Sequence, residues 1–202
     1  RLSRGDQSFF SGRSVLAAPY LFAAGHQAMV FIDERYGAAD RQALKADLDE
    51  SMRSLGLQAD FVDQAPAEPL LYEALLERDQ EPGKVVVWLG RELGVEAQEV
   101  FRRFAQRGGR LLLASAFLHQ GNSAAFLRQV FHVQAVKSTS LKGTFAGAGG
   151  NFSTRFYRLT LEAPAAAALL SSTGEEVAGL RLDAGAYRAM YFAFDPKNID
   201  PP

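Results

Sequence analysis

The chain has 202 residues, 48% of them apolar, with 22 basic and 23 acidic side chains and no cysteine. Charges of both signs are interspersed, which excludes the electrostatic footprint of a nucleic-acid or anionic-membrane binder, and no apolar run approaches the roughly 20 residues of a spanning helix. The missing cysteines remove disulfides, thiolate catalysis and Cys-ligated zinc or iron–sulfur sites, while the apolar fraction suffices for a proper core.

Residues 1–26 show neither helical nor strand periodicity and read as a lead-in or linker; residues 27–202 read as a single domain. A start at Arg1 fits a processed protein or a piece of a longer one, and the lack of cysteine fits an exported bacterial protein in an extracytoplasmic setting: periplasmic, surface or secreted. "AMVFID" (28–33) is a short apolar run ending in acid, the pattern of a buried strand. In the next segment Leu44, Leu48, Met52 and Leu55 recur at helical spacing until Gly56 stops the helix. "QADFVD" (58–63) predicts a second strand and "EPLLYEALLERD" (68–79) a second helix, with Pro69 tolerated in its first turn. "KVVVWLG" (84–90) is β-branched and apolar on both faces, as a strand covered by helices must be. A helix with Val100, Phe101 and Phe104 inward then runs to Gly108 and Gly109. "RLLLASA" (110–116) follows as a fourth strand and "SAAFLRQVFHV" (123–133) as a helix.

This alternation implies an α/β fold: a parallel sheet beginning in 2-1-3-4 order with right-handed crossovers and helices on both faces. Beyond residue 133 the texture changes. "KSTSLKGTFAGAGGNFST" is small, polar and glycine-rich, and reads as a loop or irregular edge. "RFYRLTLE", "VAGLRLD" and "YRAMYFAFD" read as strands, with "APAAAALLSS" between them as a short helix or loop. These strands form an added β-rich C-terminal part, either the far edge of the same sheet or a small sheet attached to it.

The order "VFIDE", "SLGL", "ADFVD", "VVVWLG", "RFAQRGGRLLLAS" and "AGLRLDAGAYRAMYFAFD" resembles the class I glutamine-amidotransferase-like, flavodoxin-like domain, over roughly residues 27–195. It resembles most the non-catalytic versions found as modules in secreted and cell-surface bacterial proteins. In the family's enzymes a nucleophilic Cys ends the fourth strand in a turn commonly reading G-x-C-x-G, with a distant His and Glu. Here that segment reads "LASAF", with Ser115 or Ala116 in the slot and neither flanking glycine. The resemblance therefore implies the fold without the amidotransferase reaction.

Ligands of open α/β sheets bind outside the carboxyl ends of the strands. The crevice candidates there are Asp33, Glu34, Trp88, Arg91 and Ser115. A serine nucleophile needs a base and an acid to orient it; His119 is the nearest of three histidines in sequence, so a hydrolase would use Ser115 with His119. Asp33 and Asp63 could hold Mg²⁺ or Ca²⁺, although Arg35 and Arg91 are at hand to pair with such acids. Trp88, with Phe61, Tyr36 and Tyr72, could offer a stacking surface for a glycan; the competing place for Trp88 is the core. "GTFAGAGGNF" (143–152) matches neither G-x-x-x-x-G-K-[ST] nor G-x-G-x-x-G, and "DERYGAAD" after the first strand is not a flavodoxin phosphate loop, so no cofactor is expected. "RGD" at 4–6 and "NFS" at 151–153 are short enough to arise by chance.

The expected function is that of a catalytically inert module in a larger exported or surface protein. Its partners are other domains of its parent chain or a separate protein, with a small ligand or glycan as a further option. The competing expectations are the Ser115 hydrolase and a small-ligand or metal sensor.

Overall fold

In the computed structural model the described residues are 27–33, 35–62, 84–90, 93–116, 118, 123–147, 150–162, 166–172 and 176–200. The expected lead-in 1–26 and the expected helix 68–79 lie outside them. Nine strands and three α-helices are described: β1 (Ala28–Ile32), α1 (Ala38–Ser54), β2 (Ala59–Val62), β3 (Val85–Leu89), α2 (Val95–Gln106), β4 (Arg110–Ala114), α3 (Ser123–Phe131), β5 (Val133–Gly147), β6 (Gly150–Leu161), β7 (Ala166–Ser171), β8 (Val177–Asp183) and β9 (Arg188–Phe192). No helix among the described residues is long and apolar enough to cross a membrane.

Seven strands form one sheet in the order β2-β1-β3-β4-β9-β8-β7. The first five run parallel, and β8 and β7 close the far edge antiparallel. Alternation along the strands divides the core. Met29, Phe31, Val86, Trp88, Leu111, Leu113 and Tyr191 pack with the apolar stripes of α2 and α3. Val30, Ile32, Val87 and Leu89 point the opposite way and meet Leu44, Leu48 and Met52 of α1. Phe101, fully buried on α2, contributes about 1.5–3 kcal/mol by leaving water. α1 ends where Gly56 takes a φ of 71°, a conformation that a side chain disfavours.

The C-terminal half differs from the expectation in two places. The small, polar stretch expected as a loop supplies most of β5 and the start of β6, a long antiparallel hairpin with Gly147 opposite Gly150 at its tip, and the expected strand "RFYRLTLE" completes β6. Its warrant is a period of two carried by few residues. Leu141, Phe145, Phe152 and Phe156 pack on Ala178, Phe192 and Phe194, and Gly143 and the buried Thr154 share their inward face. The described part of the stretch expected as a helix or loop after residue 162 is the edge strand β7, which pairs with β8. Alanine favours helix in isolation; an available sheet edge overrides that preference.

Candidate functional site

The carboxyl ends of the parallel strands bring residues from distant segments together. β1 leads into Asp33, whose backbone N–H donates to the Leu89 carbonyl at 2.9 Å, continuing the sheet for one residue. The Asp33 side chain is buried, and its oxygens accept from the Arg35 backbone N–H at 2.9 Å and from Arg35 Nε at 3.0 and 3.1 Å. Arg35 Nη2 completes a forked ion pair at 2.8 Å, a geometry that satisfies a buried carboxylate. Asp33 is thus engaged by the neighbouring cation that the sequence offers.

Tyr36 is also buried, and its hydroxyl donates to Asp195 Oδ1 at 2.7 Å. Asp195 follows β9, is itself buried, and caps the 3₁₀ turn Pro196–Asn198 by accepting the Lys197 N–H at 3.1 Å. Lys197 Nζ returns to Asp40 Oδ2 of α1 at 2.6 Å. The loop after β1 and the exit from β9 are therefore clasped by a buried hydrogen bond and an outer ion pair. In the sequence these partners stand 159 and 157 residues apart, and no local pattern announces them.

Ser115 directly follows β4 and has no exposure to solvent. Its N–H donates to the Phe192 carbonyl at 3.0 Å, and its carbonyl accepts the Tyr191 hydroxyl at 3.1 Å. Burial pushes the Tyr191 phenol far up, so it remains a neutral donor. Trp88, expected near the crevice, lies in the principal core at 1% exposure because it shares the inward face of β3 with Val86. It offers no surface for stacking a sugar. Phe61 is engaged from α1, where Lys45 Nζ sits 5.6 Å from the ring centre.

Gly90 shows how closely this edge is packed. A Cβ there would lie 2.5 Å from Trp88 Cζ2 and 2.8 Å from Asp33 Cβ. The tryptophan and the aspartate meet across a glycine backbone, leaving no room for a ligand between them.

His132 follows α3, which leads away from the Ser115 end: Val130 and Gln129 receive the hydroxyl of Tyr187, just before β9 begins. That is the amino edge of the parallel strands, so His132 is no base for Ser115. Its imidazole lies 4.0 Å from Glu162. Glu34, Asp63, Arg91 and His119 lie outside the described residues. Among the described residues no group of three or more His, Asp or Glu side chains could hold a metal ion. A cleft of about 490 Å³ opens beside α1, lined by Ile32, Ala38, Arg41, Gln42, Lys45 and Asp49, and neither Ser115 nor Trp88 reaches it.

No family model matches this chain, and no curated protein matches it. Among solved structures it is similar to the exo-β-1,4-mannosidase Op5Man5 from Opitutaceae bacterium strain TAV5, with a TM-score of 0.57 and 12% identity. That match covers 86% of this chain and 32% of the mannosidase, so the chain spans about a third of that protein's length. It is equally similar to a ThuA-like protein from Bacteroides uniformis ATCC 8492, with a TM-score of 0.57, 12% identity, and 86% and 84% of the two chains covered. The chain is a mixed α/β protein with a mostly parallel sheet and a β-rich part, and its fold is similar to that of a ThuA-like protein, which has a class I glutamine-amidotransferase-like fold.

Proposed function

We propose that this chain is a catalytically inert amidotransferase-like module of a larger exported or surface bacterial protein, acting in binding or assembly. The observation that carries the reading is Ser115. Of the two residues that could fill the family's nucleophile slot, Ala116 has no reactive group, and Ser115 is fully buried with its backbone N–H and carbonyl both engaged by β9. A nucleophile must meet its substrate and a base within hydrogen-bond reach, and burial denies the first requirement. Asp33 and Asp195, the buried acids at the same edge, are engaged by Arg35, Tyr36 and Lys197, which suits a scaffold.

The finer architecture belongs to the same reading: a flavodoxin-like sheet starting in 2-1-3-4 order with helices on both faces, extended by β8, β7 and the hairpin. A module role is further supported by the similarity to one third of a longer enzyme's chain. The test is labelling with a fluorophosphonate probe, with Ser115→Ala as control. No Ser115-dependent labelling is expected. Stoichiometric labelling lost in Ser115→Ala would establish a serine hydrolase and overturn the proposal.

A further inference from the structure

Among the described residues, no helix packs over the far half of the sheet face that carries α1. On β8 and β9, Leu180, Leu182, Ala189 and Tyr191 turn into the principal core, so Arg181, Asp183, Arg188 and Met190 stand on the opposite face. Arg110 shares that face, since Leu111 and Leu113 turn the other way. The register sets Arg110 beside Arg188, Arg188 beside Asp183, and Met190 beside Arg181. All five are exposed, Met190 by 39%. Parallel strands such as β4 and β9 are normally covered on both faces. Here α1 packs its partly buried Leu44, Leu48 and Met52 on the β1 and β3 half, and the other half presents a thioether amid guanidinium groups.

Three arginines meet one carboxylate on this surface, with Arg188 Nε 3.0 Å from Asp183 Oδ2. Arginine and methionine are enriched in the buried centres of interfaces, and arginine pairs carboxylates through two parallel bonds. We infer that this half-face is the docking surface for a carboxylate-bearing segment of another polypeptide, in which acidic side chains flank an apolar one. The apolar side chain covers Met190, and the flanking carboxylates engage Arg181 and Arg110. A second copy docking by the same face would set these arginines against each other, so charge favours a different partner. The inference rests on the reading of the chain as a binding or assembly module and names the surface that reading requires.

The test uses a short fluorescein-labelled peptide alternating glutamate with leucine, followed by anisotropy at low salt, with a lysine-for-glutamate peptide as control. The acidic peptide is expected to bind, to be displaced at about 0.5 M salt, and to lose about tenfold in affinity in Arg181→Glu and in Met190→Asp. Leu55→Asp, at an exposed position at the end of α1, is expected to bind as the parent chain does. Melting temperatures check that the variants remain folded. Absence of binding by the parent chain, or equal affinity in Arg181→Glu, would overturn the surface. Self-association lost in Arg181→Glu would make the occupant a second copy and overturn the proposed partner. None of these outcomes depends on Ser115 labelling, which tests the module reading separately.

Discussion

At the scale of single residues, the carboxyl edge is governed by close approach. Gly90 has no side chain because Trp88 and Asp33 already occupy the space, and Gly90→Ala forces one of them to move. The expected cost is about 1–3 kcal/mol, read as a lower urea midpoint with an unchanged slope. An unaltered midpoint would mean that the indole shifts freely. Glu99, on the outer side of α2, behaves differently. Arg102, by hydrogen bonding, and then Arg103 hold its carboxyl well below the usual range, at about 2. A carboxylate depressed in the folded state stabilises above its unfolded pKa, and the contribution is lost as pH falls toward the folded value. Because Glu99 is 40% exposed, solvent screening leaves well under about 1 kcal/mol. Glu99→Gln is therefore expected to flatten slightly the loss of stability between about pH 4.5 and pH 2, a difference that vanishes in high salt. An unchanged pH profile at low salt would remove that ion pair from the account.

At the scale of elements, the hairpin of β5 and β6 is anchored at both ends, with Val133 and Leu159 in the principal core and the aromatic end in a cluster of its own. Phe156 meets Phe145 edge to face, with ring centres 5.2 Å apart, and packs on Ala178 and Phe194. The segment after β9 bonds along β6, with Ser153 and Asp200 exchanging backbone hydrogen bonds at 3.1 and 2.8 Å. Phe156→Ala is expected to cost about 3–5 kcal/mol. The loss should appear as faster amide exchange in β5, β6 and residues 194–200, while β1, β3 and β4 keep their protection. Exchange rising equally across the sheet would show that the hairpin is integral to the cooperative core. Sequence reasoning found the second half of β6 in "RFYRLTLE" but missed the rest of the hairpin, because its inward residues there are few and many of the others are Gly, Ser, Thr and Lys. The alternation of Leu141, Gly143 and Phe145 was the available signal. β7 was missed for another reason: polyalanine carries no period, and β8 supplies its partner.

At the scale of the whole molecule, sequence and tertiary structure divided the work according to the range of the interactions involved. The apolar runs of β1, β3 and β4 and the stripes of α1 and α2 were legible because local periodicity must match the face each element buries. Composition likewise fixed the near balance of 22 basic and 23 acidic side chains and the absence of cysteine. Only the folded chain decided that Trp88 belongs to the core, because which face of a doubly covered strand looks inward depends on the neighbouring strands. Folding likewise joined Tyr36 to Asp195 and Asp40 to Lys197 across most of the chain, and assembled the exposed Arg110, Arg181 and Arg188 on one half-face from three separate strands. Local sequence encodes what each segment buries; which buried or exposed groups become neighbours is set by strand order and register, and those emerge only when the whole sheet closes.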